Sequence, residues 1–115
     1  MNYFFQRLYW RFVWSWAGTK DAWTHEHSFR SWVWANVVSA LLAFLLLEGA
    51  DRALILAVGV LVLAAEAMNT AIERTVDLIS EEKSDLARRA KDAGSAAVAL
   101  TAVAAGVAWL AALFG

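Results

Sequence analysis

Three stretches of the chain are apolar for long enough to cross a bilayer: Trp32 to Leu47, interrupted only by Asn36 and Ser39; Ala53 to Ala65; and Ala93 to Gly115, which runs 23 residues without a charge. At about 1.5 Å per helical residue, about 20 residues traverse the ~30 Å hydrocarbon layer. The third stretch spans as it stands. The first two span once extended by a turn or two, the second in helical register past Glu66, Asn69 and Glu73. Ahead of them, Arg7, Arg11 and Ser15 recur every four residues while Phe4, Phe5, Leu8, Phe12 and Trp16 cover the remaining surface, the pattern of an amphipathic helix lying among headgroups. The pattern predicts an all-α membrane protein, a single domain over residues 1–115. It has an N-terminal surface helix region at about 3–28 and transmembrane helices at about 30–48, 53–79 and 89–114.

Composition agrees. Of 115 residues 61% are hydrophobic and 18% charged, against roughly 45–50% and about 25% in soluble domains. The absence of cysteine excludes a disulfide scaffold. A net charge of −1 argues against a nucleic-acid binder working through a basic surface. Four Lys/Arg residues lie in 1–31, one at Arg52, five in 74–91 and none after Lys91, which places the N-terminus and the second connection in the cytoplasm. In a bacterium this is the inner membrane. The interleaved Trp, Arg and Tyr of residues 3–16 do not follow the plan of a cleaved leader. Six of the seven tryptophans precede residue 35, as expected of an aromatic belt at the cytoplasmic interface.

The second span carries the chemistry. Glu66, Asn69, Glu73 and Asp77 are spaced +3, +4 and +4 and fall on one helical face. A carboxylate well inside the bilayer costs on the order of 2.5–3.5 kcal/mol, and a helix that presents two acids and an amide in register points to metal binding and proton transfer rather than to helix glue alone. Beyond it, Arg88, Lys91, Asp92 and Ser95 share a face leading into the third span, a cationic cluster suited to an anionic ligand, though juxtamembrane cations also serve acidic lipid. Gly94-Ser95-Ala96-Ala97 permits close helix approach. His25 and His27 point in different directions on a helix, a poor metal pair. No P-loop or protein-kinase signature is present.

Glu66-Ala-Met-Asn-Thr-Ala-Ile-Glu73-Arg-Thr-Val-Asp77 together with Ala90-Lys-Asp-Ala-Gly-Ser-Ala-Ala-Val98 resembles the signature of the small prokaryotic-type diacylglycerol kinase family, which includes undecaprenol kinases. Ala22-Trp23 with Glu26 and Phe29-Arg30 is similar to that family's segment before the first span. The resemblance therefore covers nearly the whole chain from about Arg7. It implies a homotrimeric membrane enzyme that uses Mg²⁺ and moves the γ-phosphoryl group of ATP to a lipid hydroxyl. It further implies Glu66 as general base, Glu26 and Glu73 as metal ligands, and Glu82, Lys83, Lys91, Asp92, Arg7 and Trp14 as nucleotide contacts. Glu66, Asn69, Ser95 and Arg30 fall on the lipid-substrate side. Ser84 stands where relatives often carry His, and Trp32 where they can carry an acid.

Physical chemistry is consistent with these roles, since phosphoryl transfer needs neutralised phosphate charge and a base beside the acceptor hydroxyl, and Mg²⁺ favours one or two carboxylates with phosphate oxygens. The expected reaction is phosphorylation of diacylglycerol to phosphatidic acid. Undecaprenol is the alternative acceptor, and a non-enzymatic trimeric conduit or assembly protein the alternative class. Three helices are few to enclose nucleotide, metal and lipid together, so the site is expected to be shared between neighbouring chains.

Overall fold

In the computed structural model, which describes residues 2–115, the chain forms four helices. These are α1 (Tyr3–His25), α2 (His27–Leu46), α3 (Gly49–Ile79) and α4 (Asp85–Phe114). The last three are long and apolar enough to cross a membrane.

Each boundary has a local cause. Asn2 caps α1 by accepting a hydrogen bond from the Phe4 amide at 2.8 Å. The surface helix ends at His25, short of the expected residue 28, because Glu26 is extended (φ −114°, ψ 106°) and is at once the C-cap of α1 and the N-cap of α2. Arg30 reaches back to accept this break, donating to the Trp23 and Thr24 carbonyls at 2.7 and 3.2 Å; those carbonyls have lost their helical partners. At the opposite end, Gly49 opens α3 with φ +60°, which a side chain would strain. Arg52 then donates to the Phe44 and Leu47 carbonyls, sealing the end of α2, with its guanidinium 4.6 Å from the Phe44 ring centroid. Ser84 starts α4 by accepting from the Ala87 amide at 3.0 Å. Ser84 is thus a helix cap.

Length decides what projects from the membrane. The 31 residues of α3 and 30 of α4 extend about 45 Å each, roughly 15 Å more than the hydrocarbon layer, whereas the 20 residues of α2 match it. If Gly49 and Phe114 lie at one membrane surface, the excess falls at the α3–α4 connection, where the two helices would stand clear as a hairpin. The same arithmetic would put Glu66 at the inner edge of the apolar layer and Glu73 beyond it.

The bundle is held by small and branched residues at one level and by polar rungs at others. Ala43, Leu47, Ile55 and Ala108 form a buried cluster against Trp109 and Ala112. Trp109 Nε1 donates to Ser39 Oγ at 3.0 Å, joining α4 to α2. The Asn36 amide lies directly over Gly59, where a Cβ would displace it. Trp32 lines a half-open hollow of about 200 Å³ with Asn36, Ser39 and Trp109.

Candidate active site

The acidic face of α3 grades from buried to open. Glu66 is 4% exposed and Asn69 9%, Glu73 is half-buried and Asp77 is exposed. This is the ladder expected from the spacing, with each rung in a different setting. Glu66 Oε1 accepts a hydrogen bond from Ser28 Oγ, on the first turn of α2, at 2.6 Å. A hydrogen bond to a charged group contributes about 1.5–3 kcal/mol, the same order as the cost of placing a carboxylate in the bilayer. Asn69 Nδ2 donates to Glu73 Oε1 at 3.0 Å, one turn along. That leaves Asn69 Oδ1 buried without a partner, turned toward Gly94 on α4.

Gly94 is what lets Asn69 stand there. A Cβ at position 94 would lie 2.5 Å from Asn69 Oδ1 and 3.4 Å from Ile72 Cδ1. The Gly94→Ala variant gains helix propensity yet pushes the amide off its seat. Its expected signature is a thermal midpoint at or near the parent's together with a loss of turnover of about tenfold, the scale of one displaced charge-assisted hydrogen bond. Turnover equal to the parent's would show that the position of Asn69 is immaterial.

Nucleotide candidates divide into two groups. Glu82, Lys83, Lys91 and Asp92 line a single cleft of about 510 Å³ at the α3–α4 connection, shared with Asp77 and Arg88, within the usual range for small-molecule sites. Lys91 Nζ donates to Asp77 Oδ1 at 2.7 Å, and Arg88 is held between Asp85 (2.7 Å) and Asp92 (3.0 Å). Two of the cleft's cations, Lys91 and Arg88, are thus paired with acids of the same cleft. Arg7 and Trp14 lie elsewhere. Arg7 faces the Tyr3 ring and a separate hollow with Phe4, Leu8 and Arg11, and Trp14 is 64% exposed and stacked on Trp10. Ser95 is exposed on α4, and Arg30 is occupied in closing α1.

Glu26 is fixed by a residue that the sequence reading did not single out. Arg74, immediately after Glu73, donates Nη2 to Glu26 Oε1 at 2.7 Å and Nη1 to Asp21 Oδ2. One guanidinium therefore ties α1, the α1–α2 break and α3 together. Its hydrogen bond also holds the Asp21 carboxyl below the usual aspartate range. Among the described residues no three His, Asp or Glu side chains converge on a point. Neither Ser28 nor Arg74 could have been found from helical periodicity, because each acquires its partner from a helix about 40 or more positions away in sequence.

Comparison with known proteins identifies the family. The prokaryotic diacylglycerol kinase family profile matches residues 13–113. The chain is similar to the diacylglycerol kinase of Pseudomonas aeruginosa, with 46% identity over 102 residues, 86% of this chain and 81% of that protein. It is 38% identical over 96 residues to the diacylglycerol kinase of Escherichia coli K12, 83% of this chain and 79% of that protein. The enzyme of that name from Haemophilus influenzae is 36% identical over 98 residues, 84% of this chain and 83% of that one. With three membrane-length helices, a buried acidic stripe on the second and a charged cleft beside it, this chain belongs to the prokaryotic diacylglycerol kinase family.

Proposed function

We propose that this protein is an ATP-dependent lipid kinase that transfers the γ-phosphoryl group to the free hydroxyl of diacylglycerol, giving phosphatidic acid. The observation that carries the reading is Glu66: a carboxylate buried at the edge of the apolar layer and already engaged with a hydroxyl at 2.6 Å. A base so placed meets the alcohol of a lipid whose tails remain in the bilayer, while the polar cleft at the projecting end of α3 and α4 receives a water-soluble donor.

In this reading Arg88 and Lys91 of the cleft, joined by Lys83, draw the triphosphate in, Arg88 releasing Asp85 and Asp92 and Lys91 releasing Asp77. Asn69 keeps Glu73 in place. Glu66 takes the proton of the lipid hydroxyl as its oxygen bonds to the γ-phosphorus and the bond to ADP breaks. The Glu73 and Glu26 carboxylates are hard oxygen ligands of the kind Mg²⁺ takes, and they would hold it once Glu26 is released from Arg74. Bound there, Mg²⁺ supplies charge neutralisation on the phosphates. Arg7 and Trp14 contact the nucleotide once α1 is seated against a neighbouring chain, and Ser95 and Arg30 face the lipid. The protein works as a homotrimer in the bacterial inner membrane, with the N-terminus and the α3–α4 connection in the cytoplasm.

A direct test is to offer diacylglycerol and undecaprenol in parallel in mixed micelles with MgATP and to weigh the products. Phosphatidic acid as the dominant product supports the proposal. Polyprenyl phosphate instead would reassign the acceptor, and no phosphorylated lipid from folded protein would remove the kinase reading.

A further inference from the structure

An enzyme that activates an alcohol beside a bound nucleoside triphosphate faces a competitor present at about 55 M, namely water. The hydrogen bond between Ser28 and Glu66 bears on this problem. Ser28 sits at the second position of α2, two residues after the extended Glu26. Its hydroxyl has one proton to donate, and donates it to Oε1 of the buried acid at 2.6 Å. A serine in the first turn of a helix more often serves the local backbone. Here the hydroxyl is aimed across to α3 instead, at the atom that the proposed function assigns to the acceptor alcohol.

We propose that Ser28 is a positioning residue that determines acceptor specificity: its hydroxyl occupies Glu66 until a lipid hydroxyl displaces it, which keeps the base from activating water. The inference rests on the reading of Glu66 as the base. The exchange is one alcohol for another, so an incoming primary alcohol recovers the hydrogen bond it breaks. A water molecule gains no such advantage, because it must displace Ser28 without apolar tails to anchor it. Ser28 is itself held back from reacting by its place on α2. Its Cα is fixed in the helix behind Glu26, so its oxygen can approach the carboxylate without following a substrate into line with the phosphate. No bond to Ser28 is made or broken in the cycle.

The experiment compares ATP hydrolysis without lipid with lipid phosphorylation, using the full-length protein in the same micelles. In Ser28→Ala, the ratio of ATP hydrolysed to lipid phosphorylated is expected to rise about tenfold, the consequence of freeing a charged acceptor from one hydrogen bond. Ser28→Thr, which keeps the hydroxyl, should hold the ratio within about twofold of the parent's. A purely structural contact would lower both rates together and leave the ratio unmoved, and that result overturns the proposal. So would a phosphorylated Ser28 peptide from parent protein incubated with MgATP alone, since the residue would then be an acceptor rather than a guard. Glu66→Gln in the Ser28→Ala background separates the two levels of argument. Loss of both reactions leaves the base in place. Persistence of lipid phosphorylation would instead refute the reading of Glu66 and leave the ratio measured in Ser28→Ala without its stated cause.

Discussion

Replacing Glu66 by Gln is expected to lower kcat by about two to four orders of magnitude, the usual contribution of a positioned general base, while ATP affinity stays within about twofold of the parent's. The reasoning is spatial. Glu66 lies two helical turns, about 10 Å, from Glu73, and the cleft of Lys83, Arg88 and Lys91 lies farther toward the α3–α4 connection. The amide of Gln retains the shape and can still accept from Ser28, so the fold should survive. Only proton uptake is lost. Equilibrium binding of a fluorescent ATP analogue, measured beside single-turnover transfer to lipid, checks both halves. Turnover at the parent's rate would take Glu66 out of the mechanism, and a collapse of nucleotide binding would show that it acts on the wrong substrate.

A second large effect is expected when two inactive chains are mixed. If each site takes its acidic stripe from one chain and Arg7 of α1 from its neighbour, Glu66→Gln homotrimers are silent and Arg7→Ala homotrimers nearly so at low MgATP. Random trimers assembled from equal amounts of the two then regain about one quarter of the parent's activity, because one neighbouring pair in four combines an intact Glu66 with an intact Arg7 in the required order in a cyclic assembly. If each site lies within one chain, mixing restores nothing. Unfolding the two variants, combining them and refolding into micelles before assay makes the measurement. The structure supplies a reason to expect sharing: the outer part of α1, with Arg7 and Trp14, is held against none of the chain's own nucleotide cleft. A second chain is the nearest source of a cleft for it to meet.

How far the sequence alone reaches can be seen residue by residue. The three membrane-length helices were legible because apolar runs and helical rise are properties of consecutive residues. So was the stripe of Glu66, Asn69, Glu73 and Asp77, whose +3 and +4 spacings make it a property of one helix. Helical spacing joined Arg88, Lys91, Asp92 and Ser95, while Glu82, Lys83, Lys91 and Asp92 were grouped only by the family resemblance. The break at Glu26 was missed, since nothing in Thr24-His25-Glu26-His27 is a strong helix terminator; Arg30, four residues on, stabilises the exposed carbonyls from outside. The clamp of Arg74 on Asp21 and Glu26 and the hydroxyl of Ser28 on Glu66 were beyond reach for another reason. They depend on how far α1 and α2 are rotated against α3, and that rotation is set by packing at Ala43, Ile55, Val62 and Gly59 rather than by any local pattern.

The polar rungs along α2 also restrict how the molecule can move. Ser28 on Glu66, Asn36 over Gly59 and Ser39 under Trp109 are spread over almost the whole length of that helix. A piston stroke of α2 by even one turn would uncouple all three rungs together, in surroundings that offer no replacement partners. Admission of a substrate by sliding of the spans is therefore closed off. The joint at the extended Glu26 is braced differently, by two arginines at its surface: Arg30 on the Trp23 and Thr24 carbonyls and Arg74 on Asp21 and Glu26. Moving α1 asks for those charged contacts to be exchanged, which water and headgroups can replace, whereas moving α2 asks for rungs that the bilayer cannot.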